Sequence, residues 1–133
     1  AATGGHLDAL KLLRRHGANL DATNWAGSTA LMRAMDGKAD CAEALLEWGA
    51  DKDAADRDCW TALHFAANFG HLECARLLVR ARADRAKKNS DGKTALELAQ
   101  EQEQAEVAAL LEQADANVRF LDLLVLRKRV VNF

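Results

Sequence analysis

Residues 61–84 read TALHFAANFGHLECARLLVRARAD. Thr61 opens the stretch, where a hydroxyl can cap the free amides of a helix. Leu63 and Ala66 follow three residues apart, which gives that helix one apolar face. Gly70 breaks the chain where it must reverse, and Leu77–Leu78 mark a second helix. Helices this short do not stand alone in water, so the unit needs neighbours. The sequence supplies them. GHLDALKLLRRHGANLDAT from Gly5, GKADCAEALLEWGADKDAA from Gly37 and GHLECARLLVRARADRAKK from Gly70 align without gaps. GSTALMRAM from Gly27, CWTALHFAA from Cys59 and GKTALELAQ from Gly92 carry the preceding helix in a common register. Thr29, Thr61 and Thr94 lie 32 and 33 residues apart, and Gly17, Gly49 and Arg82 repeat those spacings. A fixed period of this length means stacked units, each stabilised by the next.

Composition agrees. The chain has 133 residues, 50% hydrophobic and 29% charged, the balance of one globular domain. It holds 28 alanines and 20 leucines but no Ile, Tyr or Pro, which favours helix. A net charge of -2 argues against nucleic acid as the partner, since that needs a strong basic face. No apolar run is long enough to cross a bilayer. Cys41, Cys59 and Cys74 are odd in number and without Cys-x-x-Cys spacing or an adjoining His cluster. Neither a disulfide framework nor a zinc site is expected. Unpaired thiols fit a reducing, intracellular compartment, the cytoplasm first and an organelle second.

The chain resembles the ankyrin-repeat family. The resemblance rests on TALHFAANFGHLECARLLVRARAD from Thr61, GHLDALKLLRRHGANLDA from Gly5 and DGKTALELA from Asp91. The family's core T-P-L-H-x-A pattern is matched with Ala in place of Pro in all three copies. The implied fold is an all-α solenoid of about three and a half helix-turn-helix units with hairpin loops, followed by an apolar C-terminal tail. The expected divisions are a partial repeat at 1–23 and repeats at 24–55, 56–88 and 89–118. A tail at 119–133 follows a loop at Ala116–Val118.

Several positions depart from the pattern. Residues 1–23 hold only the second half of a unit, so a fragment or an upstream continuation is expected. The unit 24–55 is one residue short between Met35 and Gly37, which should tighten its inter-helix turn. Cys59 stands for a hairpin glycine and Arg82 for a helix-ending one, and a left-handed backbone there costs about 1 kcal/mol without glycine. Glu103 and Gln104 replace the last inter-helix turn.

No catalytic residues, metal ligands or cofactor cradle emerge. His6 and His71 share one repeat position and His64 follows a capping Thr, which points to the repeat's own hydrogen bonding; His16 lies in a loop. Cys41 and Cys74 read as small buried hydrophobes, and Cys59 as an exposed hairpin thiol. Trp48 is expected to pack between repeats.

The resemblance implies protein binding through the hairpin tips and the concave row of first helices. That register selects Trp25, Ser28, Arg57, Asp58, Trp60 and Lys93 from the hairpins, and Met35, Asp36, Asn68 and Phe69 from the helix ends. Exposed aromatics flanked by polar groups suit binding hot spots. A basic band, Arg76, Arg80, Arg82, Arg85, Lys87 and Lys88, offers a docking edge for an acidic surface.

Residues 119–133 read RFLDLLVLRKRVVNF. Phe120, Leu121 and Leu124 are too apolar for a free surface. The tail either caps the last repeat or inserts into a partner or a membrane surface, with Arg127 and Arg129 at the interface and Phe133 in a second apolar patch.

The function expected is non-catalytic protein binding, as a scaffold, adaptor or accessory subunit of a multi-subunit assembly. Two alternatives are a regulatory or targeting segment of a longer enzyme and an effector-like inhibitor of another protein.

Overall fold

The computed structural model describes the backbone of residues 2–17 and 19–131, and the side chains of residues 7–17, 19–117 and 124. Its elements are α1 (Ala2–Arg15), α2 (Ala30–Ala34), α3 (Ala39–Glu47), α4 (Ala62–Phe69), α5 (Leu72–Arg80), α6 (Ala95–Glu101) and α7 (Ala105–Val131). Among the described residues there is no sheet, only an isolated bridge between Ala55 and Thr61. The helices form two layers. The first helices α2, α4 and α6 make one row, and the second helices α1, α3, α5 and α7 make the other. Each of α2, α4 and α6 packs on the helix that follows it, while α1, the first described element, packs on α3.

The threonines do what their spacing predicts. Thr29, Thr61 and Thr94 are extended N-cap residues whose hydroxyls accept from the amides of Met32, His64 and Glu97. Between the layers lies a continuous core. Leu31, Leu45, Leu63, Leu78, Val107 and Leu111 are fully buried, with alanines at Ala42, Ala66, Ala75 and Ala99 letting the helices approach. Cys41 and Cys74 are buried and Cys59 is exposed, as expected.

Three repeat positions demand a left-handed backbone, and each is held by a non-glycine residue once. Gly27, Cys59 and Gly92 have φ of 80, 62 and 76°, and Gly17, Gly49 and Arg82 have φ of 74, 88 and 64°. Gly37, Gly70 and Glu103 form the third set, at 114, 73 and 58°. The stack therefore imposes the turn even where the residue resists it. The second unit, one residue short, has the shortest first helix: α2 has 5 residues against 8 in α4 and 7 in α6.

Two expectations change. The loop at Ala116–Val118 is absent, because α7 runs unbroken for 27 residues, from Ala105 to Val131. Asp115 occupies the position that ends the other second helices at Gly17, Gly49 and Arg82. Nothing there favours a left-handed turn, and the residues beyond are good helix formers. The expected boundary between residues 118 and 119 therefore falls inside a helix. Met35, expected on the concave surface, is fully buried. It shares its repeat position with Ala67, also fully buried, so its side chain enters the core between the layers.

Candidate functional site

The hairpins are built by one device used three times. Asn24, Asp56 and Asn89 each turn a side-chain oxygen onto two amides of the loop that follows. Asn24 Oδ1 accepts from Ala26 and Ser28 at 2.9 and 3.0 Å, and Asp56 Oδ1 from Asp58 and Trp60 at 2.9 Å each. Asn89 Oδ1 accepts from Asp91 and Lys93 at 3.0 Å each. These Asx turns fix the tips that carry the candidate residues. The tips are also joined to one another: the Arg57 amide donates to the Ala26 carbonyl at 3.1 Å, and the Ser90 amide to the Asp58 carbonyl at 2.9 Å.

A second chain of bonds runs through the loops after the second helices. Asp21 Oδ1 accepts from the Asp51 amide at 2.8 Å, and Asp53 Oδ1 from the Asp84 amide at 2.7 Å. Hairpin position is thus set by neighbours on both sides.

On this frame stands a row of aromatic rings. Trp60 packs on Phe65 with centroids 5.0 Å apart, and Phe65 on Phe69 at 6.2 Å. Phe65 and Phe69 are four residues apart on α4 and share one face. Phe69 is 49% exposed and Trp60 half-buried. Beside this row lies a groove of about 240 Å³ lined by Ser28, Met32, Arg33, Asp36, Phe65 and Phe69. The groove has an apolar wall and one charge of each sign at its edge.

The structure brings together Ser28, Asp36 and Phe69 in that groove, with Trp60 joined through Phe65. Trp25 stands on its own hairpin tip, 83% exposed. Arg57 and Asp58 are exposed at the next tip. Asp36 carries Lys38 at 3.3 Å. Asn68 is half-buried, and its carbonyl accepts from Gln104 at 3.1 Å. Lys93 is paired with Glu101, whose carboxylate raises the lysine above its ordinary pKa. On α7, Leu124 is 41% exposed. The side chains of Phe120, Leu121, Arg127, Arg129 and Phe133 lie outside the described residues.

Sequence reasoning passed over Phe65, Met32 and Arg33. The signal for Phe65 was its spacing of four from Phe69. The basic band is partly spent within the molecule: Arg76 holds Glu73 at 3.0 Å, Arg85 holds Asp115 at 2.9 Å, and Lys87 donates to the Asp53 carbonyl at 2.8 Å. Trp48 is half-buried with the Arg14 guanidinium 4.9 Å from its ring centroid, which joins α1 to the end of α3.

His64 is buried as part of the scaffold. Its Nδ1 accepts from the Thr61 amide at 3.1 Å, so Nε2 carries the proton and donates to the Lys93 carbonyl at 3.0 Å. Burial lowers its pKa. Burial likewise raises the thiol pKa of Cys41 and Cys74, which keeps both protonated and inert. Among the described residues no group of His, Cys, Asp and Glu is placed to hold a metal. No described helix is long and apolar enough to cross a membrane.

Comparison with known proteins gives a consistent picture. The family model for ankyrin repeats, of three copies, matches residues 1–56 and 49–120. Inversin of Gallus gallus is 42% identical over 72 residues, which cover 53% of this chain and 6% of that protein. Notch-regulated ankyrin repeat-containing protein B of Danio rerio is 41% identical over 54 residues, 40% of this chain and 49% of that protein. The chain thus spans less than half the length of either relative.

Proposed function

The chain belongs to the ankyrin-repeat family, and on that premise we propose that it is a non-catalytic protein-binding module, a scaffold or accessory subunit within a larger assembly. The observation that carries this reading is the row Trp60–Phe65–Phe69 beside the groove of Ser28, Met32, Arg33 and Asp36. A half-buried aromatic row that ends in the exposed Phe69, on a rigid, doubly bonded frame, costs little entropy to present. It offers anchors of the kind that dominate binding energy.

Trp25, Arg57 and Asp58 extend the surface along the hairpin tips, with Asn68 and Lys93 at its margins. Met35 has no place in it. Residues 119–133, most of them carried on α7, form a second docking segment beyond the repeats of 1–118. Partner binding there uses Phe120, Leu121, Leu124, Arg127, Arg129 and Phe133. The setting is a reducing intracellular compartment, consistent with the free cysteines.

The test is affinity purification from native extract with three forms: the intact chain, a Trp25→Ala/Phe69→Ala variant, and a chain ending at Val118. Bound proteins are identified by mass spectrometry. The double variant should stay folded, since both rings are exposed, yet lose the partner that the intact chain retains. Recovery of the same partner by all three forms would place the binding surface elsewhere.

A further inference from the structure

The outer face of the second helices changes sign from unit to unit. Glu43 and Glu47 on α3 hold the same two repeat positions as Arg76 and Arg80 on α5. Lys11 and Arg15 hold them on α1, and Ala109 and Gln113 on α7. Each pair is exposed, and its members, four residues apart, share one helix face. The two central helices thus carry an acidic strip beside a basic one. α3 packs on α1 and α5, and α5 on α3 and α7, so units on both sides set this part of the surface.

These charges are free to act outward. No ion pair among the described residues engages Glu43, Glu47 or Arg80, and Arg76 holds the exposed Glu73 at 3.0 Å. The core is closed by other positions of the same helices: Cys41, Ala42 and Leu45 on α3, and Cys74, Ala75 and Leu78 on α5. Neither strip is needed for the fold.

A pattern in this order is complementary to itself. A two-fold axis parallel to the helices, placed between α3 and α5, reverses the stack and keeps the helix direction. It lays Glu43 and Glu47 of one copy on Arg76 and Arg80 of the other, and repeats both pairs by symmetry. Lys11 and Arg15 then fall opposite α7, where Glu106 and Glu112 are exposed. Like charges meet in one row, Asp40 with Glu73 and Asp8 with Glu106. Asp40, Glu73 and Glu106 lie in the first turns of their helices, where the helix dipole favours a carboxylate. An axis along the stack would instead set each strip on its own sign.

We propose that the outer face of α3 and α5 is a docking surface for a second copy of this chain, in a two-fold dimer held by reciprocal carboxylate–guanidinium contacts. Four helices about 13 Å long and about 10 Å apart offer about 500 Å² per copy. That is the low end for a specific contact, so the dimer is weak, reversible and sensitive to salt. The surface lies on the second-helix layer and goes beyond the aromatic row, which stands on the first-helix layer.

Sedimentation velocity on the full chain reads the dimer. At about 50 mM salt the parent should show a concentration-dependent equilibrium of monomer and dimer, weakened at least tenfold at about 500 mM. Glu43→Arg/Glu47→Arg makes both strips basic, and Arg76→Glu/Arg80→Glu makes both acidic. Each variant should stay folded, since all four side chains are exposed, and each alone should be monomeric. Mixed in equal amounts, the two should associate, because each then offers the strip the other lacks. The proposal is overturned if the parent stays monomeric at low salt up to about 300 µM, if either variant alone dimerises as well as the parent, or if the mixture stays monomeric. Poly-glutamate that binds a monomeric parent through Arg76 and Arg80 would also overturn it, since the occupant would then be an acidic partner.

Discussion

The Nε2 of His64 stands 3.0 Å from the carbonyl oxygen of Lys93, and this contact ties the third unit to the hairpin of the fourth. The same ring closes a capping box with Thr61 through Nδ1. One buried, neutral imidazole thus serves the start of α4 and the next hairpin together. Three consequences of burial and strain, and one of helix length, can be measured.

Removing the ring leaves the Lys93 carbonyl and the Thr61 amide without partners, which costs about 2–3 kcal/mol. His64→Ala should lower the urea midpoint accordingly. The parent chain should also weaken in acid. Burial lowers the His64 pKa, so below the ordinary imidazole value of about 6.5 the unfolded chain takes up a proton that the folded chain resists. The stability is full above that value and falls as pH drops below it. Thermal unfolding between pH 7.5 and 5 should show this fall, and His64→Gln should flatten it.

Arg82 and Cys59 hold φ of 64 and 62°, where a side chain is strained. Arg82→Gly should therefore stabilise the chain by about 0.5–1 kcal/mol, after the greater freedom of glycine in the unfolded state is discounted. Cys59→Gly should act in the same direction. Equilibrium denaturation decides; a loss of stability in both variants would show that the backbone there is relaxed.

Leu13 and Leu45 test the uneven coverage of the second helices. Leu45→Ala opens a cavity in a closed core and should cost about 2–5 kcal/mol. Leu13→Ala removes a half-exposed side chain and should cost less than about 1 kcal/mol. Equal losses in the two variants would contradict the exposure of α1.

A chain ending at residue 118 keeps Val107, Ala108 and Leu111, the buried ones among the described side chains of α7. It should unfold cooperatively, with a midpoint within a few degrees of the intact chain. Its circular dichroism should lose the helical signal of the missing part of α7. Collapse of the truncated chain would mean that the extended helix supports the repeats.

The sequence made the frame legible because its signals are local and recur. Thr29, Thr61 and Thr94 announce their helices by hydroxyl chemistry alone, and the repeat spacing located Cys59 and Arg82 at left-handed turns despite their side chains. Three things were hidden. Met35 shares its place with Ala67 and points inward, which needed strict alignment across a deleted residue. The hairpin role of Asn24, Asp56 and Asn89 is spread over two residue types. The continuation of α7 depended on Asp115 failing to stop a helix, an absence that periodicity alone reads as a loop. Within the candidate site, Phe69 was visible as an exposed aromatic. Phe65 was not, because its role arises only from stacking between Trp60 and Phe69.

The bonds from Asp21 to Asp51 and from Asp53 to Asp84 join successive units in the same way, as do those from Arg57 to Ala26 and from Ser90 to Asp58. An internal unit such as 56–88 offers an acceptor to one neighbour and a donor to the other. A tandem duplication of that segment would bring its own hairpin joint, between the Asp58 carbonyl and the Arg57 amide, although Ala86 stands where Asp53 accepts. The coding sequence can therefore grow or shrink by whole units with the hairpin joint kept, and a heritable change in length would lengthen the row of tips offered to a ligand.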